Sequence, residues 1–261
     1  MPELVEVERY RVLAERVLGR VVASVESPDP WFLKGAATPP LLSGLLVGTR
    51  IIGARRIGKL LLLDTDEGPV VGVRFGMTGS LLVDGFDAVG QLLYSSTRRD
   101  PAWDRWTVTF TGGGRLVVHD PRRLGGVSLD PDVTGLGPDA ATIGPASLGA
   151  ALAGSTTPLK ARLLDQSRIA GIGNLIADEV LWRAGLSPIR PSGSLSTVEV
   201  NRLHRQLRRT LADLTERGGS HLGDLMPERH PGGVCPKDGN SLVRSTVGGR
   251  TSWWCPTHQA T

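Results

Sequence analysis

Leu163-Leu164-Asp165-Gln166-Ser167-Arg168-Ile169-Ala170-Gly171-Ile172-Gly173-Asn174-Leu175-Ile176-Ala177-Asp178-Glu179 is the stretch on which the reading of the fold turns. A helical pattern stops near Gln166, two glycines make a turn, and a second helical pattern resumes at Asn174. Asn174 is expected at the N-cap of that helix, where unpaired backbone N–H groups favour an anion. Such a pair of helices can grip a DNA phosphate without reading sequence. An ordinary helical hairpin would leave the same signature in these residues alone.

Around this turn the C-terminal half reads as helical, with patterns over 146–152, 159–166, 174–184 and 198–216. The N-terminal part differs. Residues 3–19 read as one amphipathic helix stopped by Gly19, placing Leu4, Val7, Val12, Leu13, Val17 and Leu18 among charges. From about 20 to 130 the pattern shifts to short Val/Ile/Leu-rich runs, among them 21–25, 60–63, 70–73, 106–110 and 116–118, broken by Gly, Pro and Asp. Turns at 64–68 and 111–114 suit antiparallel hairpins. The expectation is a two-domain α+β protein: an N-terminal helix with an antiparallel β-sandwich over 1–130, a linker over 131–145, a helical domain over 146–220 and a terminal segment over 221–261. That last segment is too short for a core of its own unless something staples it. No internal repeat or low-complexity tract occurs.

The 261 residues suffice for two modest cores, and 40% apolar content is ordinary for a globular chain. Thirty Lys plus Arg against 26 Asp plus Glu leaves +4, a mild bias that suits a polyanionic partner, and it concentrates after Lys160. Charges throughout the first twenty residues exclude a signal-peptide apolar core, and no window is apolar enough for a membrane span. A soluble, cytoplasmic monomer is expected, nucleoid-associated when bound to DNA.

The N-terminus, Met1-Pro2-Glu3-Leu4, carries the chemistry. Removal of Met1 would expose the secondary amine of Pro2, and α-amino groups titrate near pH 8, so a useful fraction is nucleophilic at neutral pH. Such an amine can attack C1′ of a sugar and form an iminium that drives base loss and then strand elimination. Glu3 is placed to move protons at the ring oxygen. A proline ahead of a helix with acidic first-turn residues gives the same letters without chemistry. Arg55-Arg56-Ile57-Gly58-Lys59 runs into an apolar strand, and Lys59 at its start can reach a phosphate. Extracting a base leaves a hole, which Met77 (in Arg74-Phe75-Gly76-Met77), Arg122 and Leu124 (in Asp120-Pro121-Arg122-Arg123-Leu124) could fill. Cys235-Pro-Lys-Asp238 and Cys255-Pro-Thr-His258 carry paired x₂ spacing, the pattern of a tetrahedral zinc site, with His230 a weaker alternative to Asp238. Two free thiols are the alternative. Arg250 would sit near the tip of the intervening hairpin.

Taken together and in this order, these features resemble the formamidopyrimidine-DNA glycosylase and endonuclease VIII family over nearly the whole chain, the formamidopyrimidine branch more closely. The resemblance implies a nucleophilic Pro2, a catalytic Glu3, a supporting Glu6, phosphate contact by Lys59, void filling by Met77 and Arg122, and a phosphate-binding Asn174 in a helix-two-turn-helix. It further implies a zinc-finger β-hairpin bearing Arg250, and hence damaged double-stranded DNA as partner. The expected activity is excision of a damaged base followed by β,δ-elimination; a non-catalytic lesion binder on the same scaffold is the alternative, and a sequence-reading zinc-ribbon regulator lacks a recognition helix. Departures occur: Val5 stands for the usual proline, Arg74 for a common histidine, Leu124 for the usual phenylalanine wedge and Ile176 for a common tyrosine. Asp238 and His258 stand for cysteines, implying structural Zn2+ on mixed ligands. The short path from Gly219 to Cys235 shortens the region that caps an oxidised purine in the formamidopyrimidine branch. Oxidised and ring-opened purines still rank first as substrates, oxidised pyrimidines second and bulkier adducts third.

Overall fold

The computed structural model describes residues 2–259 apart from Gln91, Leu93, Tyr94 and Thr97. Two compact units emerge, one formed by Pro2 with Glu6–Val133, the other by Glu3–Val5 with the chain from Thr134 onward.

In the first unit, helix α1 (Leu4–Ala14) is followed by β1 (Val22–Glu26), helix α2 (Pro39–Leu46), β2 (Ile51–Ile57), β3 (Leu60–Thr65), β4 (Val71–Arg74), β5 (Ser80–Val83), β6 (Phe86–Asp87), β7 (Asp104–Phe110), β8 (Arg115–His119) and β9 (Gly126–Leu129). The strands form two antiparallel sheets, β1-β7-β8-β5-β6 and β2-β3-β4-β9. One core joins them: Trp106, Val108 and Phe110 of the first sheet with Leu61, Leu63, Val71 and Val73 of the second, closed by Val7, Tyr10 and Leu13 of α1. Alternate residues of each strand supply that core because successive side chains point to opposite faces.

Two expectations need correction here. The N-terminal helix ends at Ala14, passes into a single 3-10 turn over Glu15–Val17, and leaves Val12 half exposed at 50%. Helix α2 lies in a region read as strands, although Thr38-Pro39 is a helix start: the Thr38 hydroxyl accepts the Leu41 N–H, and Pro39 needs no donor at the first helical position.

The second unit contains α3 (Pro145–Leu152), α4 (Leu159–Leu164), α5 (Asn174–Ala184), α6 (Thr197–Arg217) and the hairpin β10 (Val243–Val247) and β11 (Arg250–Trp254). Residues 137–143, expected in a linker, are irregular yet packed: Gly137 and Ala140 donate to the carbonyls of Gln166 and Ala170, and Ile143 is buried in the helical core. The terminal segment draws its small core from α5, since Trp182 packs with Leu225, Cys235, Leu242, Trp253 and Cys255. Gly248 and Gly249 make the hairpin turn, both at positive φ (57° and 71°), the backbone a two-residue turn demands.

Helix α6 starts on a capping box in which Ser196 and Glu199 satisfy each other's backbone donors. The Arg190 guanidinium, aided by the Ser196 N–H, lowers the Glu199 carboxyl from 4.5 to about 2. Its folded value lies below the unfolded one, so the stabilisation is complete above about pH 4.5 and fades as the pH falls toward 2. Glu199→Gln is therefore expected to lower Tm at neutral pH, with the gap to the parent protein closing across that acid window in thermal melts.

Candidate active site and nucleic-acid interface

The N-terminal residues and the two-glycine turn are built for each other. Both oxygens of the buried Glu3 carboxylate accept backbone N–H groups from the first turn of α5, Leu175 to Oε1 (2.8 Å) and Ile176 to Oε2 (3.0 Å). The Leu4 N–H donates to the Gly171 carbonyl (3.2 Å). A Cβ on Gly171 would overlap Leu4, and one on Gly173 would overlap the Glu3 carboxyl, so both glycines are required by close approach. Gln166 ties the turn together by accepting the Gly171 N–H and donating to the Leu164 and Ile172 carbonyls.

Asn174 occupies the first helical position, with Gly173 as N-cap, one residue from the expected place. The displacement has a physical reason: Glu3 supplies the anion that satisfies the free N–H groups, so a capping side chain is redundant. Asn174 is half-buried, and its buried Oδ1 has no hydrogen-bond partner among the described residues. Pro2, the residue before Glu3, is buried; Met1 lies outside the described residues.

Within the first unit, Lys59 lies half-buried in the Gly58-Lys59 turn between β2 and β3. Arg56, whose side chain is only 7% exposed, fixes that turn to α1: its Nε bonds Glu8 (2.9 Å) and its Nη1 bonds the Gly58 carbonyl (2.9 Å). Glu6 is buried on the same helix.

A second assembly gathers the residues read as void fillers. The buried Asp120 carboxylate accepts the Thr78 hydroxyl (2.7 Å), the Arg122 N–H (3.2 Å) and the Gly125 N–H (2.8 Å), joining the loop after β4 to the loop after β8. Gly76 touches the Leu124 backbone so closely that a Cβ would overlap it. Met77, half-buried, thus shares one rim with the exposed Arg74, Arg122 and Leu124. Met77 sits in a loop, where no core position explains it. Arg123, at φ 58°, turns away to a bidentate pair with Asp29 (2.6 and 2.9 Å), and that guanidinium holds the Asp29 carboxyl below its ordinary range. Sequence reasoning missed Asp120 as the anchor, and also Tyr10, whose ring packs on Phe75 (4.6 Å between centroids) beside the Met77 loop.

Cys235, Asp238 and Cys255 bring two sulfurs and a carboxylate oxygen within 4.8 Å of one another, a group that could hold a metal ion. The surroundings fit thiolate ligands: Trp182 Nε1 donates to Cys235 Sγ (3.4 Å) and the His258 N–H to Cys255 Sγ (3.3 Å). The imidazole of His258, read as a ligand, stands outside the cluster and bonds the Trp182 carbonyl through Nε2 (2.8 Å). His230 is also elsewhere, on the Pro231 carbonyl. Arg250 is exposed at the hairpin tip as expected from its position, and none of its donors is committed to an acid among the described residues.

Comparison with known proteins covers both units. Residues 1–127 match the model of the formamidopyrimidine-DNA glycosylase N-terminal domain, and residues 134–224 match the H2TH domain of the same glycosylases. Formamidopyrimidine-DNA glycosylases of Cereibacter sphaeroides and Thermus thermophilus are 36% and 37% identical, the alignments covering 99% of this chain and 100% and 98% of theirs. Crystal structures of a Lactococcus lactis FPG mutant with a Fapy-dG containing DNA and of the Lactococcus lactis Fpg with an abasic-site DNA superpose with TM-score 0.83 over all of both chains, at 26% and 25% identity.

Proposed function

The chain belongs to the formamidopyrimidine-DNA glycosylase family, and from that premise we propose that it excises damaged bases from duplex DNA through the amine of Pro2. It is a DNA glycosylase and abasic-site lyase of base excision repair. The observation that carries the assignment of residues is the clamped Glu3: a buried carboxylate directly after Pro2, held by two N–H groups at the start of α5.

In the proposed reaction the Pro2 nitrogen bonds C1′ as the bond from C1′ to the base breaks, the base leaving with the bonding pair and taking a solvent proton, while the amine's N–H proton passes to the Glu3 carboxylate. Glu3 gives a proton to the sugar-ring oxygen, the ring opens, and the nitrogen becomes an iminium. The iminium acidifies C2′, so loss of a C2′ proton expels the 3′ phosphate, and a second elimination expels the 5′ phosphate. Lys59, Arg74, Asn174 and Arg250 offer positive or donor groups to phosphates flanking the lesion. Met77, Arg122 and Leu124 fill the space left by the extruded nucleotide. The rim around Asp120 supports this, since it presents an unbranched, a branched and a charged side chain together.

Zinc is the metal that two thiols and a carboxylate would suit, held by Cys235, Asp238 and Cys255; when bound it supplies a structural crosslink at the base of the hairpin. One zinc per chain is expected, lost in Cys255→Ser, weakened in Asp238→Ala and retained in His258→Ala, as measured by metal content of the purified proteins. Among the described residues no helix is long and apolar enough to cross a membrane. The location we propose is the cytoplasm, with the enzyme working on the nucleoid, from its kinship with bacterial formamidopyrimidine-DNA glycosylases.

Ring-opened and oxidised purines are the substrates we place first. The residues between Gly219 and Cys235 form two short turns tied down by Glu179, which accepts the N–H groups of Asp224 and Leu225, so lesion choice does not rest on a long cap. Borohydride trapping tests the reading: protein with a native N-terminus is offered duplexes carrying an abasic site, an oxidised guanine or an oxidised pyrimidine. A covalent adduct on the abasic and purine duplexes, absent when Met1 is retained, is expected. Tight binding with no adduct on any duplex would instead make the protein a lesion binder.

A further inference from the structure

Helix α6 buries Leu203, Leu207, Leu211 and Leu214 along one seam, packed on α5 and α3. At 3.6 residues per turn the opposite face carries Arg202, Arg205, Arg208 and Arg209. Arg205, Arg208 and Arg209 are exposed; Arg202 is half-buried, and its Nε is buried with no hydrogen-bond partner. Among the described residues none of the four has an acidic partner.

Arg162, Arg168, Arg244 and Arg250 of this unit likewise lack an ion pair among the described residues, but only the four on α6 share one helix face, and the unit's remaining arginines are paired. Arg183 is paired with Glu179, Asp213 and Asp224, Arg190 with Glu199, Arg217 with Asp213 and Asp224, and Arg229 with Asp178. The spacings within the unpaired set are i,i+3 and i,i+4, at which like charges on a helix repel. The stripe therefore works against the helix unless an anion meets it.

We propose that the outer face of α6 is a second, lesion-independent contact for the phosphates of duplex DNA, distinct from the one at the start of α5. The inference rests on the reading of the chain as a DNA enzyme. Residues 202 to 209 extend about 10 Å along the helix axis, and phosphates follow one another at about 3.4 Å of rise per strand, so two or three lie within reach of these side chains. A folded acidic protein fits less well. Protein interfaces centre on apolar or aromatic anchors, whereas the positions beside these arginines are Asn201, the half-buried Gln206 and Ala212, and the one exposed large apolar side chain of the helix, Val198 at 73%, stands apart at its start. The face points away from the seam that holds α5, so a duplex gripped at Asn174 leaves it available for another duplex or a distant turn of the same one.

The test combines salt dependence with bridging, both read on undamaged duplex. R205Q/R208Q/R209Q is expected to reduce the slope of log affinity against log salt by roughly two to three, at about 0.9 per phosphate contact, while R205K/R208K/R209K keeps the parental slope. Wild-type protein on an immobilised lesion duplex is expected to retain a labelled undamaged duplex, and the glutamine variant to release it. Single-turnover excision at saturating protein stays the same, because these arginines touch no reacting group. An unchanged slope in the glutamine variant overturns the proposal, whatever the bridging result. Absence of all trapping by wild type, with the slope difference intact, would remove the glycosylase reading and leave this contact standing.

Discussion

Glu3→Gln is expected to slow release of a damaged base by roughly two to four orders of magnitude in single-turnover assays, the range a positioned proton donor contributes. The same variant should still form a borohydride adduct on an abasic duplex. The two results separate because the abasic sugar opens to an aldehyde by itself, so the Pro2 amine can attack without a proton at the ring oxygen. The glutamine side chain keeps an oxygen that can accept one of the two N–H groups now held by the carboxylate, from Leu175 and Ile176. The fold should survive, with the loss falling on the proton. Full excision by Glu3→Gln would remove Glu3 from the chemistry.

Gly173→Ala reaches the same carboxylate from the other side. Gly173 has φ −114° and ψ −169°, a backbone any residue adopts, so alanine is not strained in itself. Its methyl would instead overlap Cδ and Oε1 of Glu3 and expel the carboxylate from the α5 terminus. Excision comparable to Glu3→Gln, with abasic trapping retained, is the expected result. A fully active Gly173→Ala would show that the clamp is dispensable.

The turn 171–174 was legible because glycines at fixed spacing beside an asparagine are local signals, and the two-domain α+β layout followed from a change of period. The ligation of the terminal cysteines was legible only in part. Spacing put His258 beside Cys255, but spacing carries no information about ring direction, and the Trp182 carbonyl takes the imidazole. Asp120 was quoted within its motif yet not seen as an anchor, since the hydroxyl it accepts belongs to Thr78, 42 residues away. Glu3 at the α5 terminus is a longer case: its partners are 172 and 173 residues distant, and only the unusual pair of glycines hinted that something packs there. Helix α2 was missed for a different reason, its start signal at Thr38-Pro39 being outweighed by the strand-like runs around it.

The largest effect on stability is expected from Asp178, which lies on α5 at 2% exposure. Its Oδ1 meets Lys160 Nζ (2.8 Å) and the Ser252 hydroxyl (2.8 Å), and its Oδ2 meets Arg229 Nη2 (2.7 Å) and the Trp253 N–H (3.4 Å). Lys160, on α4, is fully buried and also donates to the Thr251 carbonyl (2.8 Å). One carboxylate thus joins α4, α5, the segment before Cys235 and strand β11. Asp178→Asn leaves two buried cations without their anion, a change that costs about 3–5 kcal/mol. Burial already holds the Lys160 ammonium below its ordinary 10.5. With the folded value below the unfolded one, stability rises with pH as that amine loses its proton, so the deficit of Asp178→Asn should narrow as the pH is raised toward 10.5. Amide hydrogen exchange across α5 and β10–β11 is the suitable measure, because unfolding of a two-unit chain need not be a single transition. Replacing the anion and one cation together, as in Lys160→Met/Asp178→Leu, should recover part of the loss, since buried ion pairs are often matched by apolar packing. Exchange in the hairpin that Asp178→Asn leaves unchanged would mean that the Cys235, Asp238 and Cys255 cluster, rather than this network, holds β10–β11 to the helices.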